Sequence, residues 1–150
     1  MSQVAIRPAR QTERSILEAL QWRASLANSG DRDALLAHPD AISLPIEQLA
    51  DGHVYVAEQD DVIVGFAAIV ARPDGNTELD ALFVEPSLWK QGVGRLLVEH
   101  CADVVRAGGS RILHVVGNPH AEGFYAACGF RTVGAVETRF GAGLDMQREL

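Results

Sequence analysis

Leu82-Phe83-Val84-Glu85-Pro86-Ser87-Leu88-Trp89-Lys90-Gln91-Gly92-Val93-Gly94-Arg95-Leu96-Leu97 reads as an apolar strand end, a proline-marked turn, two glycines one residue apart and the opening of an apolar helix. Gly92 and Gly94 supply backbone freedom and the absence of a Cβ where strand turns into helix, so successive N–H groups can converge on one point ahead of the helix. The orphan donors of a first helical turn and the positive end of its macrodipole favour a phosphate or pyrophosphate there. Lys90 and Arg95 add flanking positive charge. A turn whose glycines serve tight packing alone accounts for the same residues, so Gly-x-Gly by itself leaves both readings open.

Upstream of this loop the chain builds strands. His53 to Glu58 and Val62 to Ala71 are β-rich runs joined by Gln59-Asp60-Asp61, which reads as a hairpin; Asp74-Gly75-Asn76 makes the next turn into a strand over Thr77 to Val84. Before them lies a short strand, Gln3 to Arg7, ended by Pro8. A helix follows, with Thr12 as N-cap and Ile16, Leu17, Leu20, Ala24 and Ala27 at helical spacing, stopped by Asn28-Ser29-Gly30. Between Asp31 and Asp51 two short helical pieces, around Ala34 to Ala37 and Ile46 to Ala50, flank a break at His38-Pro39. That insertion suits either a pocket wall or a plain connector.

Downstream, Val93, Leu96, Leu97, His100, Cys101, Val104 and Val105 form the apolar stripe of a helix that ends at Gly108-Gly109. Arg111 to Val116 is mostly apolar, Arg111 and His114 apart, as expected of a strand covered on both faces after a crossover helix and parallel to the strand ending at Val84. Asn118-Pro119-His120 starts a short helix, Ala121 to Cys128, closed by Gly129. Two strands, around Thr132 to Phe140 and Leu144 to Leu150, complete the pattern.

A chain of 150 residues is long enough for one domain, 1–150, with a continuous core and no staples. Thirteen Lys and Arg against twenty Asp and Glu give a formal charge of −7, which carries no basic footprint for nucleic acid. Mean hydropathy is +0.03, and no apolar run reaches the roughly 18 to 20 residues that span a bilayer. The N-terminus enters its first strand pattern at once, without a charged-then-apolar signal layout, so a cytoplasmic location is expected. Cys101 and Cys128 lack any zinc-type spacing, and no metal is expected. Cys101 belongs to the apolar side of its helix. Cys128 sits at a helix C-terminus, where the macrodipole disfavours a thiolate.

The order of elements, with Leu82-x-Val84-x-Pro86 leading into Gly92-x-Gly94 and with Asn118-Pro119-His120-Ala121-Glu122-Gly123-Phe124-Tyr125-x-x-x-Gly129-Phe130 behind it, resembles the GNAT superfamily of acetyl-CoA-dependent N-acetyltransferases across essentially the whole chain. The resemblance implies an α/β (α+β) fold: a mixed, mostly antiparallel central sheet of about seven strands flanked by helices, with a splayed parallel pair at the cofactor site. It implies acetyl-CoA as co-substrate and a small-molecule or peptide amine as acceptor, with neither nucleic acid nor membrane as partner, in a monomer or homodimer. Carried over by position, the backbone of Leu82, Phe83 and Val84 binds the acetyl and pantetheine end. Lys90, Gln91, Gly92, Val93, Gly94 and Arg95 cradle the pyrophosphate, Asn118 contacts pantetheine, Phe124 walls the cofactor and Tyr125 protonates the departing thiolate. The chain departs from the family pattern at Trp89, where Arg or Gln is usual, and at Lys90, where glycine is common.

The chemistry explains the residue types. An attacking alkylamine, with a pKa near 10, is mostly protonated at neutral pH, so a base is useful. Glu78 and Asp80, two apart on one strand, share a face; the resemblance ranks Glu78 first. The tetrahedral oxyanion needs a donor, and the resemblance implies a backbone N–H of the cofactor strand, at Phe83 or Val84. A domain that binds acetyl-CoA as a sensor, with catalysis lost, is the alternative.

Overall fold

The computed structural model describes residues 3–139 and 141–150. A seven-stranded sheet runs in the order β1-β2-β3-β4-β5-β7-β6, with strands β1 (Ala5–Pro8), β2 (Val54–Gln59), β3 (Val62–Ala71), β4 (Thr77–Val84), β5 (Ile112–Gly117), β6 (Arg131–Thr138) and β7 (Gly141–Glu149). Every neighbouring pair is antiparallel except β4 and β5. This is the mixed sheet expected from the sequence. Phe140, placed in the penultimate strand by the sequence reading, lies outside the described residues.

Helices cover both faces. Helix α1 (Arg14–Ala27) and helix α3 (Ile46–Ala50) pack Leu17, Leu20 and Leu49 with Leu44 onto Val54, Val56, Phe66 and Ala68 of the sheet. Helix α4 (Val93–Ala107) lays Val93, Leu97, Val98, Cys101 and Val105 on the other face, against Val64, Ala67, Leu79 and Leu113. Each fully buried leucine or phenylalanine here contributes roughly 1.5–3 kcal/mol. Helix α2 (Ser29–Ala37) extends α1 past a break at Asn28, and helix α5 (Glu122–Ala127) follows β5. No helix among the described residues is long and apolar enough to cross a membrane.

Several local expectations change. A 3-10 turn over Gln11–Glu13 precedes α1, so Thr12 is no N-cap; the Glu13 carboxylate instead accepts from the Arg10 backbone N–H at 2.8 Å. Ile16 and Leu96 face solvent, each one residue, and so about 100° round the helix, from a fully buried leucine (Leu17 and Leu97). Val116 is exposed too, because the end of β5 has left its neighbour and forms the rim of an opening. The β2–β3 hairpin turns on Asp60 and Asp61, both at positive φ (53° and 63°), the pair of conformations that a two-residue turn of matching twist demands.

The sheet opens at one place. Parallel pairing of β4 with β5 covers only Thr77–Leu113, Glu78–His114 and Leu79–Val115. At the next residue β4 bulges: Ala68 and Ile69 of β3 face Ala81 and Leu79, leaving Asp80 as the extra residue. A bulge bends its strand and adds twist, so β4 turns away from β5 immediately after their last pair. Meanwhile β5 stays paired with β7 along its whole length.

Candidate active site

The opening between β4 and β5 is a cleft of about 330 Å3, lined on one side by Asp80 to Val84 and on the other by Val116, Gly117, Asn118, Phe124 and Tyr125. Backbone polarity along β4 alternates. The Glu85 N–H donates to the Val64 carbonyl of β3 at 2.8 Å, while the Val84 carbonyl accepts from the Trp89 indole at 2.9 Å on the opposite side. Val84, and Leu82 two residues before it, therefore point their N–H and C=O groups toward the cleft, and Phe83 points its own into the β3 ladder. Of the two N–H groups expected as oxyanion donors, that of Val84 faces the cleft and that of Phe83 faces β3. Trp89, absent from the sequence-derived site, lines the cleft through its side chain.

Beyond β4, Pro86–Leu88 make a 3-10 turn, Lys90 takes a positive φ of 66° and Gly92 one of 90°, and α4 begins at Val93 with no side chain capping it. The first N–H groups of α4 are thus left for a ligand, with the exposed side chains of Lys90, Gln91 and Arg95 around them. A Cβ added at Gly94 would stand 3.1 Å from the Phe124 ring and 3.7 Å from Val84. The second glycine therefore keeps α4, α5 and the end of β4 close together. Gly92 is required for its φ instead, since a Cβ there would meet nothing within 4 Å.

Asn118 closes the cleft at the end of β5. Its Oδ1 accepts from the His120 N–H at 3.0 Å and caps a 3-10 turn over Pro119–Ala121. Its Nδ2 donates to Asp31 Oδ1 at 2.7 Å, joining β5 to α2 across 87 residues. Nothing in the sequence pattern singles out Asp31, which takes its place in the cleft wall through this contact. His120 is exposed.

A family model for the Acetyltransferase (GNAT) family matches residues 17–130. The chain belongs to the GNAT acetyltransferase family. Membership carries with it acetyl-CoA-dependent acetyl transfer as the enzymatic class. A relative named peptidyl-lysine N-acetyltransferase YjaB, from Salmonella typhimurium, is 30% identical over 135 residues, covering 89% of this chain and 88% of its own length. Among solved structures, PaiA N-acetyltransferase from Thermoplasma acidophilum, in complex with coenzyme A, superposes with a TM-score of 0.76 at 14% identity over 99% of both chains. YncA from Salmonella typhimurium, solved with acetyl-CoA, gives a TM-score of 0.72 at 21% identity over 99% of this chain and 95% of its own. These two show the GNAT fold.

Within the GNAT frame the proton-handling groups separate. Tyr125 is buried in the cleft wall, edge-on to Phe124 (centroids 5.1 Å apart) and Phe130 (5.5 Å). Burial pushes its phenol pKa well up, with Cys128 and Asp31 adding to the effect, so the hydroxyl keeps its proton at neutral pH. Glu78 and Asp80 go to different places. The Glu78 carboxylate accepts from Arg72 at 3.5 Å near the start of β4, and Glu78 is absent from the cleft lining. Asp80, on the bulge, lines the cleft. Gln48 of α3 sits behind it, donating through Nε2 to the Ile69 carbonyl at 3.1 Å and reaching Asp80 Oδ2 at 3.5 Å. The bulge that opens the sheet is thus also what carries Asp80 to the opening. Burial raises the Cys101 thiol to about 12 and shifts Cys128 in the same direction, leaving both as packed thiols.

Proposed function

We propose that residues 1–150 act as one N-acetyltransferase domain that moves the acetyl group of acetyl-CoA directly to a primary amine of a small molecule or peptide, without an acetylated enzyme. The observation that carries this reading is the β4–β5 cleft, with outward backbone donors on one wall, a protonated tyrosine on the other and a carboxylate on the bulge at its inner end. The uncapped start of α4 and the glycine at position 94 fit a pyrophosphate beside the cleft. Bound acetyl-CoA would supply the thioester. Leu82 and Val84 offer backbone partners for its pantetheine and acetyl end, and the Val84 N–H is directed where charge develops on the thioester oxygen. Asp80 takes one proton of the incoming ammonium, the amine nitrogen bonds the acetyl carbon, and the C–S bond breaks as the Tyr125 hydroxyl gives its proton to sulfur; the second nitrogen proton, shed as the amide forms, restores the phenol, and Asp80 passes its proton to solvent. Glu78, ranked first by resemblance, holds Arg72 in this arrangement.

The name of the YjaB relative puts a lysyl side chain first among acceptors. Two buried thiols left unpaired are in keeping with a reducing, cytoplasmic site of action. The test is thiol release from acetyl-CoA in the presence of a lysyl peptide, a polyamine, a free amino acid and an aminoglycoside. Amine-dependent release is expected. Binding of acetyl-CoA with no release by any amine replaces this reading with the sensor.

A further inference from the structure

The reaction cleft continues into a second space of about 320 Å3 between α1, α2 and β4, and the two share Asp31, Asp80 and Phe83. Leu35, Ile42 and Phe83 give this space apolar sides. Its charged members are Asp31 and Asp80 alone, both negative, and no Lys or Arg lines it among the described residues. Both carboxylates therefore stand where this space and the cleft meet. We propose that Asp31 is the specificity-determining residue for the acceptor: it selects an alkylammonium carried on an apolar stem and remote from any carboxylate, the side chain of a lysyl residue in a peptide rather than the α-amine of a free amino acid.

The proposal rests on the transfer reaction proposed above and adds a division of labour to it. Asp80 receives the proton, and Asp31 beside it holds the ammonium in position up to that transfer. Asp31 is fixed for that purpose. Its Oδ1 accepts from Asn118 Nδ2 at 2.7 Å, and Asn118 is itself held through its Oδ1 by the His120 N–H. Holding the carboxylate in advance removes part of the ordering cost of binding. Oδ2 makes no hydrogen bond to a described residue and is the oxygen left for the ammonium. An acceptor bearing its own carboxylate next to the amine would set that group beside two like charges, with no cation in the lining to offset it.

The test is steady-state kinetics of the full chain at saturating acetyl-CoA. The acceptors are a lysyl peptide with a blocked N-terminus and free glutamate. Asp31→Asn keeps an oxygen for Asn118 and removes the charge. It is expected to raise KM for the peptide about 10 to 100-fold, the range of one charge-assisted hydrogen bond, with kcat within a few-fold and the acetyl-CoA thermal shift unchanged. The wild type should prefer the peptide strongly, and the variant should narrow that preference. Asp31→Glu should recover part of the peptide KM, and wild-type KM should rise with salt. An unchanged KM in Asp31→Asn, or an equal loss for both acceptors, would show a structural tie only and overturn the proposal. A wild type that acetylates glutamate as well as the peptide overturns it too, and one that acetylates no amine instead removes the transfer reaction on which it rests.

Discussion

Replacing Gly94 by valine tests the cofactor cradle at its tightest point. A Cβ there lies 3.1 and 3.2 Å from Phe124 Cζ and Cε1 and 3.7 Å from Val84 Cγ2, so the Phe124 ring must yield, and valine adds two methyls beyond that Cβ. Phe124 is 38% exposed and lines the cleft, so a ring pushed off α4 has room to move toward the space proposed for the cofactor. Overpacking of this kind costs about 1–3 kcal/mol, and here that cost falls on binding. For the wild type, acetyl-CoA at a hundred times its Kd should stabilise the fold by about 2.7 kcal/mol, or roughly 5 to 11 °C in Tm for a domain of this size. A loss of about 1–3 kcal/mol leaves roughly 0.3 to 1.7 kcal/mol at the same ligand concentration. The thermal shift therefore falls by at least about a third and at the upper end nearly vanishes. Gly94→Ala is the graded control, needing the ring to give by only a few tenths of an ångström while helix propensity gains about 0.5–1 kcal/mol. It should keep most of the shift on an unliganded Tm that is no lower. A full wild-type shift in Gly94→Val would refute the placement of the cofactor beside α4.

Tyr125→Phe keeps the ring packing and removes only the hydroxyl; turnover should drop by about 10 to 100-fold with acetyl-CoA affinity unchanged, and wild-type turnover with chemistry rate-limiting would remove the acid assignment. Asp80→Asn should lose most activity at low pH, where the acceptor is protonated, and lose less as pH rises and the amine becomes neutral, whereas Glu78→Gln should stay within a few-fold throughout; pH–rate profiles of both variants decide between the carboxylates. The Arg7 guanidinium, bonded to Glu13 at 2.7 and 3.0 Å, holds that carboxyl below its ordinary range. A depressed pKa gives stability that is present above the unfolded value, about 4.3, and lost as pH falls through the folded one. Glu13→Gln should therefore cost roughly 1.5–3 kcal/mol at pH 7, and the gap in urea midpoint from the wild type should close below about pH 4.

Most of the architecture was legible because its causes are local. The β-rich run Val62 to Ala71, the helical stripe from Val93, the glycines at 92 and 94 and the Asn118-Pro119 helix start each act within a few residues, and the order of such elements limits the topology. The same locality made the 90–95 loop visible as a candidate site, whereas Tyr125 was named through the resemblance to the GNAT superfamily. The strand over Thr77 to Val84 was equally legible, yet the bulge inside it was not. That bulge depends on how Ala68 and Ile69 seat against β4, and it decides that Asp80 rather than Glu78 reaches the cleft.

Tertiary structure alone set what depends on residues far apart in the chain. The Asp31 to Asn118 contact spans 87 positions, and Asp31 carries no signal of its own beyond its place near the start of a short helix. The direction of the Val84 backbone follows from which neighbour its strand pairs with, and the Trp89 indole finds that carbonyl only because the turn between them folds back. A sequence pattern reports which face a side chain prefers. Where two strands part, and which side chains then meet in the gap, is settled by pairing energies summed across the whole sheet.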